Sequence, residues 1–170
     1  MIGDKAPSMR IGIISDTHDD LHTLDHALAI LKAEGIDVLL HCGDLCTPAT
    51  LEALATFDVW VARGNMDRHR DLAVTARRTI GSERFAERHR LTLDGRSAVL
   101  LHGHRQEELS GVISAGRYAY VFHGHTHRRR DQRVGPTRII NPGAVGGIRW
   151  QRRSFAILDT AGDEVDFRTV

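Results

Sequence analysis

Residues 10–18 read RIGIISDTH, an apolar run from Ile11 to Ile14 that stops at Asp16, with His18 two residues further on. A short run rich in β-branched residues, without polar alternation, reads as a strand buried on both faces whose C-terminal end carries polar groups. Beyond it, Asp19 or Asp20 can cap a helix that sets Leu21, Leu24, Leu28 and Leu31 on one face, and Gly35 suits its exit. The pattern then repeats. Val38-Leu-Leu40 is a second buried strand, ending in His41-Cys-Gly-Asp44. Thr47-Pro48 starts a second helix, with proline at the first helical position. Val59-Trp-Val-Ala62 is a third strand, ending in Arg63-Gly-Asn-Met-Asp67. Strand–helix–strand–helix–strand implies parallel pairing with helical crossovers, an α/β chain.

Residues 68–90 are rich in Arg and Glu with few apolar anchors, and they yield no assignment. Leu91-Thr-Leu93, Asp94-Gly95 and Ser97 to Leu101 form a hairpin with a two-residue turn, ending in His102-Gly-His104. A helix covers Gln106 to Ala115, and Tyr118 to Phe122 is a strand ending in His123-Gly-His-Thr-His127. Thr137 to Ile140 follows the Gly135-Pro136 turn and leads into Asn141-Pro-Gly143. Ser154 to Leu158 and Glu164 to Arg168 close the chain as strands.

Composition sets bounds. A chain of 170 residues can bury a substantial core as one domain, here residues 10–170, preceded by an extension over residues 1–9. Met9 stands as an alternative start to Met1. A formal charge of +1 and 5% aromatic residues argue against a nucleic-acid binder, which needs a basic field or a stacking platform. No apolar run approaches the roughly 20 residues of a membrane span, and Met1 to Ser8 lacks the apolar core of a signal peptide. Cys42 and Cys46 cannot build a disulfide framework and read as small fillers in a reducing compartment, the cytoplasm.

The strand ends carry the chemistry. Side by side they are Asp16-Thr-His18, Gly43-Asp44, Gly64-Asn65, His102-Gly-His104 and Gly124-His125-Thr-His127. Ligands of α/β sheets bind beyond the carboxyl ends of the strands. Two donors separated by one residue point the same way from extended backbone. Carboxylate, imidazole and amide oxygen without thiolate suit Mn²⁺, Fe or Zn²⁺ better than Ca²⁺. Seven candidates, Asp16, His18, Asp44, Asn65, His102, His125 and His127, exceed what one ion takes while keeping a reactive position open, and fit two ions about 3.5–4 Å apart. Taken singly, several have a plainer reading, Asp16 as a helix cap, His18 as a core histidine, Asp44 and Asn65 as turn residues, whereas His125-Thr-His127 favours metal even alone. The set as a whole favours metal.

These motifs, in this order from Arg10 to about Leu158, resemble the calcineurin-like metallophosphoesterases, and the length resembles their small YfcE-like phosphodiesterase branch. The resemblance implies a four-layer α/β/β/α sandwich of two mixed sheets. It also implies that Asp16, His18 and His127 hold one divalent ion, Mn²⁺ ahead of Fe, Zn²⁺ or Ni²⁺. Asn65, His102 and His125 would hold the other, with Asp44 bridging both. The implied activity is hydrolysis of a small phosphate ester, a diester ahead of a monoester, by in-line attack of a metal-bridging hydroxide, with Asp44, Asn65 and His104 as catalytic residues. Many larger relatives carry His where this chain has Met66. A thioether donates no proton, which leaves His104 or a bound water as the leaving-group acid, or else a substrate whose leaving group needs none.

His123 and His41 are strand-end histidines, Asp67 orients Asn65 or its loop, and Asn141-Pro-Gly143 is structural. Arg128-Arg-Arg130 with Arg133 is a solvated charged turn or an anion clamp. Trp60 and Trp150 are core or edge residues. The rival functions are a protein-interaction scaffold of the same fold, a nuclease and a phosphomonoesterase; a retromer scaffold subunit lacks the first-motif histidine that this chain keeps as His18. A homo-oligomer remains open.

Overall fold

The computed structural model describes residues 8–148 and 150–170. Most of the extension assigned from sequence, residues 1–7, lies outside the described residues. Met9 is tied to the fold: its N–H donates to Thr160 Oγ1 (2.7 Å) and its carbonyl accepts from Thr160 N (3.0 Å).

The first strand, β1 (Arg10–Ile14), is followed by α1 (Leu21–Ala33), β2 (Val38–His41), α2 (Pro48–Leu54) and β3 (Val59–Ala62). Parallel pairing of β1, β2 and β3 follows the expected crossovers. The unassigned stretch contains α3 (Leu72–Thr79), a 3₁₀ turn and the two-residue strand β4 (Phe85–Ala86), which lies beside β3. Then come β5 (Arg88–Leu93), β6 (Arg96–Leu101), α4 (Gln106–Ser114), β7 (Tyr120–Phe122), β8 (Arg129–Val134), β9 (Thr137–Pro142), β10 (Ser154–Asp159) and β11 (Glu164–Thr169). The β5–β6 turn is Asp94-Gly95 with both φ positive, 48° and 71°, as a tight hairpin requires.

The strands form two mixed sheets, β11-β10-β1-β2-β3-β4 and β5-β6-β7-β9-β8. Period-two alternation assigns each side chain to a layer. Ile11, Ile13, Val38 and Leu40 of the first sheet meet Ala98, Leu100, Tyr120, Phe122 and Ile140 of the second between the sheets. Ile14, Leu39, Val59 and Val61 face the opposite way, onto Leu24, Leu28, Leu31 and Leu51 of α1 and α2. Val99, Leu101, Val121 and Ile139 pack on Leu109 of α4. The architecture is therefore helices, sheet, sheet, helix: four layers, as the resemblance implied.

Several local expectations need correction. Leu21, the first residue of α1, is 38% exposed, and the buried face starts at Leu24. Residues 129–134 are an edge strand, β8, held by antiparallel pairing with β9 along its whole length. Its main-chain bonds do not depend on the RRDQRV side chains, and charge on an edge discourages pairing with other chains. Trp150 is not a core residue: it is 64% exposed, whereas Trp60 packs partly against the inter-sheet cluster. Asp20 caps α1 by accepting from Thr23 N (3.0 Å). Asp19 instead accepts from Thr47 N, Thr47 Oγ1 and Thr50 Oγ1, and so ties its loop to the start of α2.

Candidate metal centre

The C-terminal ends of β1, β2 and β3 in one sheet, and of β6 and β7 in the other, bring the motif residues to one rim. The loops there are held to one another by main chain: Asp16 N donates to Gly43 O (2.9 Å), His18 N to Asp44 O (3.0 Å) and Gly124 N to His102 O (3.0 Å). The paired donors converge by a route the sequence reading did not foresee. Asp16, His18, Asp44, His125 and His127 adopt left-handed backbone (φ 44° to 68°), not the extended conformation expected for ligands spaced by one residue. Non-glycine residues hold such conformations where the surroundings over-determine them, commonly at functional sites.

Two three-residue clusters result, Asp16–His18–His127 and Asp44–His102–His125, each with ligand atoms within 4.8 Å of one another. In the first, Asp16 is fully buried. Its Oδ2 accepts from His125 N (3.0 Å) and from the Ser15 hydroxyl. Its Oδ1 lies 3.2 Å from His127 Nε2 and 3.9 Å from His18 Nε2, neither suitably aligned, and has no hydrogen-bond partner. A buried carboxylate oxygen left without a donor and facing two imidazoles is what a cation ligand looks like without its cation. The donor set thus fits a divalent ion of the Mn²⁺, Fe or Zn²⁺ type.

Asp44 lies between the clusters. Its Oδ2 is 3.3 Å from His102 Nε2 and 3.8 Å from His18 Nε2, while Oδ1 accepts from Met66 N (2.8 Å). Burial would raise this carboxyl's pKa; the hydrogen bond and charge of His102, the Met66 N–H and His18 outweigh that and hold it below its ordinary value. Asn65 Oδ1 sits 3.1 Å from His102 Nε2, joining the second cluster.

Outer partners fix which ring nitrogen faces inward. His102 Nδ1 donates to Cys42 O (2.7 Å) and His127 Nδ1 to Ile148 O (2.7 Å), so each Nε2 turns to the centre. Burial works against protonation of His102, but Asp44 and Asp16 raise its pKa; the nearby Asp16 carboxylate raises that of His127. His125 is lowered, first by burial and then by His102.

Asp67 holds two loops together, accepting from Gly64 N (2.7 Å), Asp44 N (3.0 Å) and Cys46 N (2.8 Å). A Cβ at Gly64 would strike Asp44 Oδ1, and one at Gly124 would strike Ser15 Oγ, so these approaches require glycine. Asn141 Nδ2 donates to Gly124 O (2.8 Å) and Thr126 Oγ1 (3.1 Å), steadying the loop that carries His125 and His127. His41 and His123 are buried with pKa values pushed down to about 4, chiefly by desolvation. Burial also pushes the Cys46 thiol up to about 12 and the Cys42 thiol well above its usual value, which keeps both protonated.

A cavity of ≈ 380 Å³ opens on this cluster, lined by His18, Asp44, Asn65, Met66, His125, His127 and Ile148. His104 stands outside that lining, its ring centroid 5.5 Å from His102 and 6.3 Å from His125. Ile148 was not anticipated; a lone isoleucine after two glycines gives no periodic signal. A second cavity of ≈ 240 Å³, lined by Lys32, Ile36, Thr56, Phe57 and Asp58, contains no such cluster. Among the described residues, no helix is long and apolar enough to cross a membrane.

Comparison with known proteins places this geometry. Residues 9–163 match the calcineurin-like phosphoesterase superfamily domain. The chain is 31% identical over 159 residues to Phosphodiesterase MJ0936 of Methanocaldococcus jannaschii, covering 92% of this chain and 96% of that protein. Among solved structures, an archaeal phosphodiesterase superposes with a TM-score of 0.87 at 30% identity, over 95% of this chain and 100% of the other. The phosphoesterase YfcE of E. coli shares the fold, with a TM-score of 0.68 at 18% identity over 95% and 100% of the two chains.

Proposed function

The chain belongs to the calcineurin-like phosphoesterase superfamily, and from that premise we propose that it is a dinuclear metal-dependent phosphoester hydrolase acting on small phosphodiesters. The observation that carries this reading is the position of Asp44, whose single carboxylate oxygen is within 4 Å of a histidine from each three-residue cluster. Asp16, His18 and His127 would hold one ion, and Asn65, His102 and His125 the other, with Asp44 shared. Mn²⁺ is the ion we assign first. Held by these residues, two such ions would supply an acidified water and offset charge on the phosphoryl oxygens.

The residues of the chain do the rest. His102 and His127 keep their Nε2 atoms inward through fixed Nδ1–H donation to carbonyls. Asp67 keeps the Asp44 and Asn65 loops in register. At the position of Met66 no side chain can give a proton to the departing oxygen. His104, lowered in pKa by burial and then by His102 and Arg105, offers the leaving group an N–H at the edge of the site. Both features favour leaving groups that depart as stable anions.

A scaffold role is disfavoured because every motif donor, His18 included, is present and converged. The test is turnover of a bis-aryl and a mono-aryl phosphate by metal-stripped protein with and without Mn²⁺. The expected result is Mn²⁺-dependent hydrolysis, faster on the diester, with rates falling steeply as the leaving-group pKa rises. Asp44→Asn should lose roughly a thousandfold, about 4 kcal/mol of barrier. Undiminished turnover by metal-replete Asp44→Asn would overturn the assignment.

A further inference from the structure

Few large apolar side chains of the described residues stand exposed, and two of them, Met66 (47%) and Ile148 (71%), line the mouth of the site, with Trp150 (64%) close by in sequence. Met66 and Ile148 are walls of the cavity that also contains Asp44 and His127. They are not there by accident of a loose loop. The Met66 N–H is the donor that fixes Asp44 Oδ1, and the Ile148 carbonyl is the acceptor that fixes His127 Nδ1. The main-chain groups that orient two candidate ligands therefore also set two apolar side chains beside the reacting centre. Trp150, two residues on, lies with its ring 5.7 Å from the guanidinium of Arg128, which directly follows His127.

We propose that this rim binds a flat aromatic group carried by the phosphate ester, so that the substrate is an aryl or nucleoside phosphodiester and Met66, Ile148 and Trp150 determine specificity. The proposal rests on the hydrolase reading above and adds to it the chemistry of the organic group. Three arguments on the molecule select that occupant. Met66 and Ile148 line the same cavity as Asp44, His125 and His127, so a group bonded to phosphorus reaches them without a linker. The cavity of ≈ 380 Å³ is of the size that holds a small ligand and falls near the lower end of the range of small-molecule sites. Thioether, branched aliphatic and indole surfaces all pack on the face of a ring, while Arg128 over the indole adds a cation beside an anionic ester.

Phosphonates test this without turnover, since their C–P bond resists hydrolysis. In a Trp60→Phe background, which leaves Trp150 as the only tryptophan, Mn²⁺-loaded protein is titrated with phenylphosphonate and with methylphosphonate while indole emission is followed. Phenylphosphonate should bind about tenfold tighter, within the cost of a lost aromatic stack, and alone should change the Trp150 emission. Ile148→Ser should collapse that preference. Adenosine 5′-monophosphate binding tighter than phenylphosphonate assigns the ring to a nucleotide, and weaker binding assigns it to a simple aryl ester. Equal affinities for the two phosphonates, with unchanged emission, overturn the rim proposal and leave the hydrolase reading standing. Binding of neither phosphonate, with no hydrolysis of aryl esters, overturns both.

Discussion

Both ends of the strands carry a cluster of charged side chains, and the two are built on opposite terms. At the N-terminal ends of β6, β7 and β9, the cluster is closed on itself. Arg138 bonds Asp131 through two nitrogens (2.7 Å each) and Asp163 (3.0 Å). Tyr120 donates to Asp163 (2.9 Å), Arg133 pairs with the same carboxylate, and Arg96 donates to Tyr120 (2.6 Å). Hydrogen bonding to Asp131, opposed by burial and helped by Asp163, raises the Arg138 pKa. Burial raises the Asp163 carboxyl, but Tyr120, Arg133 and Arg138 outweigh it and lower its pKa. At the C-terminal ends, carboxylates face imidazoles, Asp16 Oδ1 lacks a donor, and seven of the nine non-glycine residues with positive φ among the described residues crowd the loops. Asp16, His18, Asp19, Asp44, Cys46, His125 and His127 are the seven. One cluster is complete with the atoms of the chain. The other is arranged for something added to it.

The sharpest way to break that contrast is to remove one charge from each end and unfold the protein in chelator. Arg138→Met takes a mostly buried guanidinium from two partly solvated carboxylates, and should cost about 2 kcal/mol, the worth of its charge-assisted hydrogen bonds. Asp16→Asn in the metal-free protein should cost nothing measurable or add stability. The amide oxygen can keep the bonds from His125 N and Ser15, while the new NH₂ can donate to His127 Nε2, where Oδ1 now has no partner. Thermal unfolding of both variants decides it, and an equal loss at both ends would erase the distinction.

A smaller effect per residue should come from acid. His41 and His123 are buried beside the site with folded pKa values near 4, below the value of 6.5 they recover on unfolding. A depressed folded pKa contributes stability that is whole above the unfolded value and is lost as pH falls toward the folded one. Over about one pH unit below 6.5 the unfolded chain takes up protons that the folded chain refuses, and the two histidines together should remove about 2 kcal/mol. Urea unfolding in chelator at the two pH values checks this. His41→Gln should flatten about half of the dependence.

The sequence exposed the site end far better than the closed end, for a physical reason. Each donor there follows a short buried strand, so the apolar run and its abrupt polar stop are contiguous, as in Ile11 to Asp16 and Val38 to Asp44. The fold's first three strands and both histidine motifs are legible that way. What long-range contacts decide is not. β8 is polar at almost every position and is a strand because β9 pairs with it. α3 has only Leu72, Thr75 and Ala76 buried, too few to mark a periodicity among its arginines. The role of Asp19 in holding the start of α2 rests on residues 28 to 31 positions away. The left-handed conformation of the ligand loops was illegible too, since Asp and His occur in both extended and turned backbone. The layering of two sheets came from resemblance, not from any pattern in the residues.

The central claim is that the open cluster is completed by two divalent cations sharing Asp44. The count of Mn²⁺ bound per chain, measured by equilibrium dialysis of metal-stripped protein followed by elemental analysis, tests it most directly. The account predicts two ions per chain for the unaltered protein and a reduced count for Asp44→Asn. A count of none, or two ions held equally well by Asp44→Asn, would contradict it.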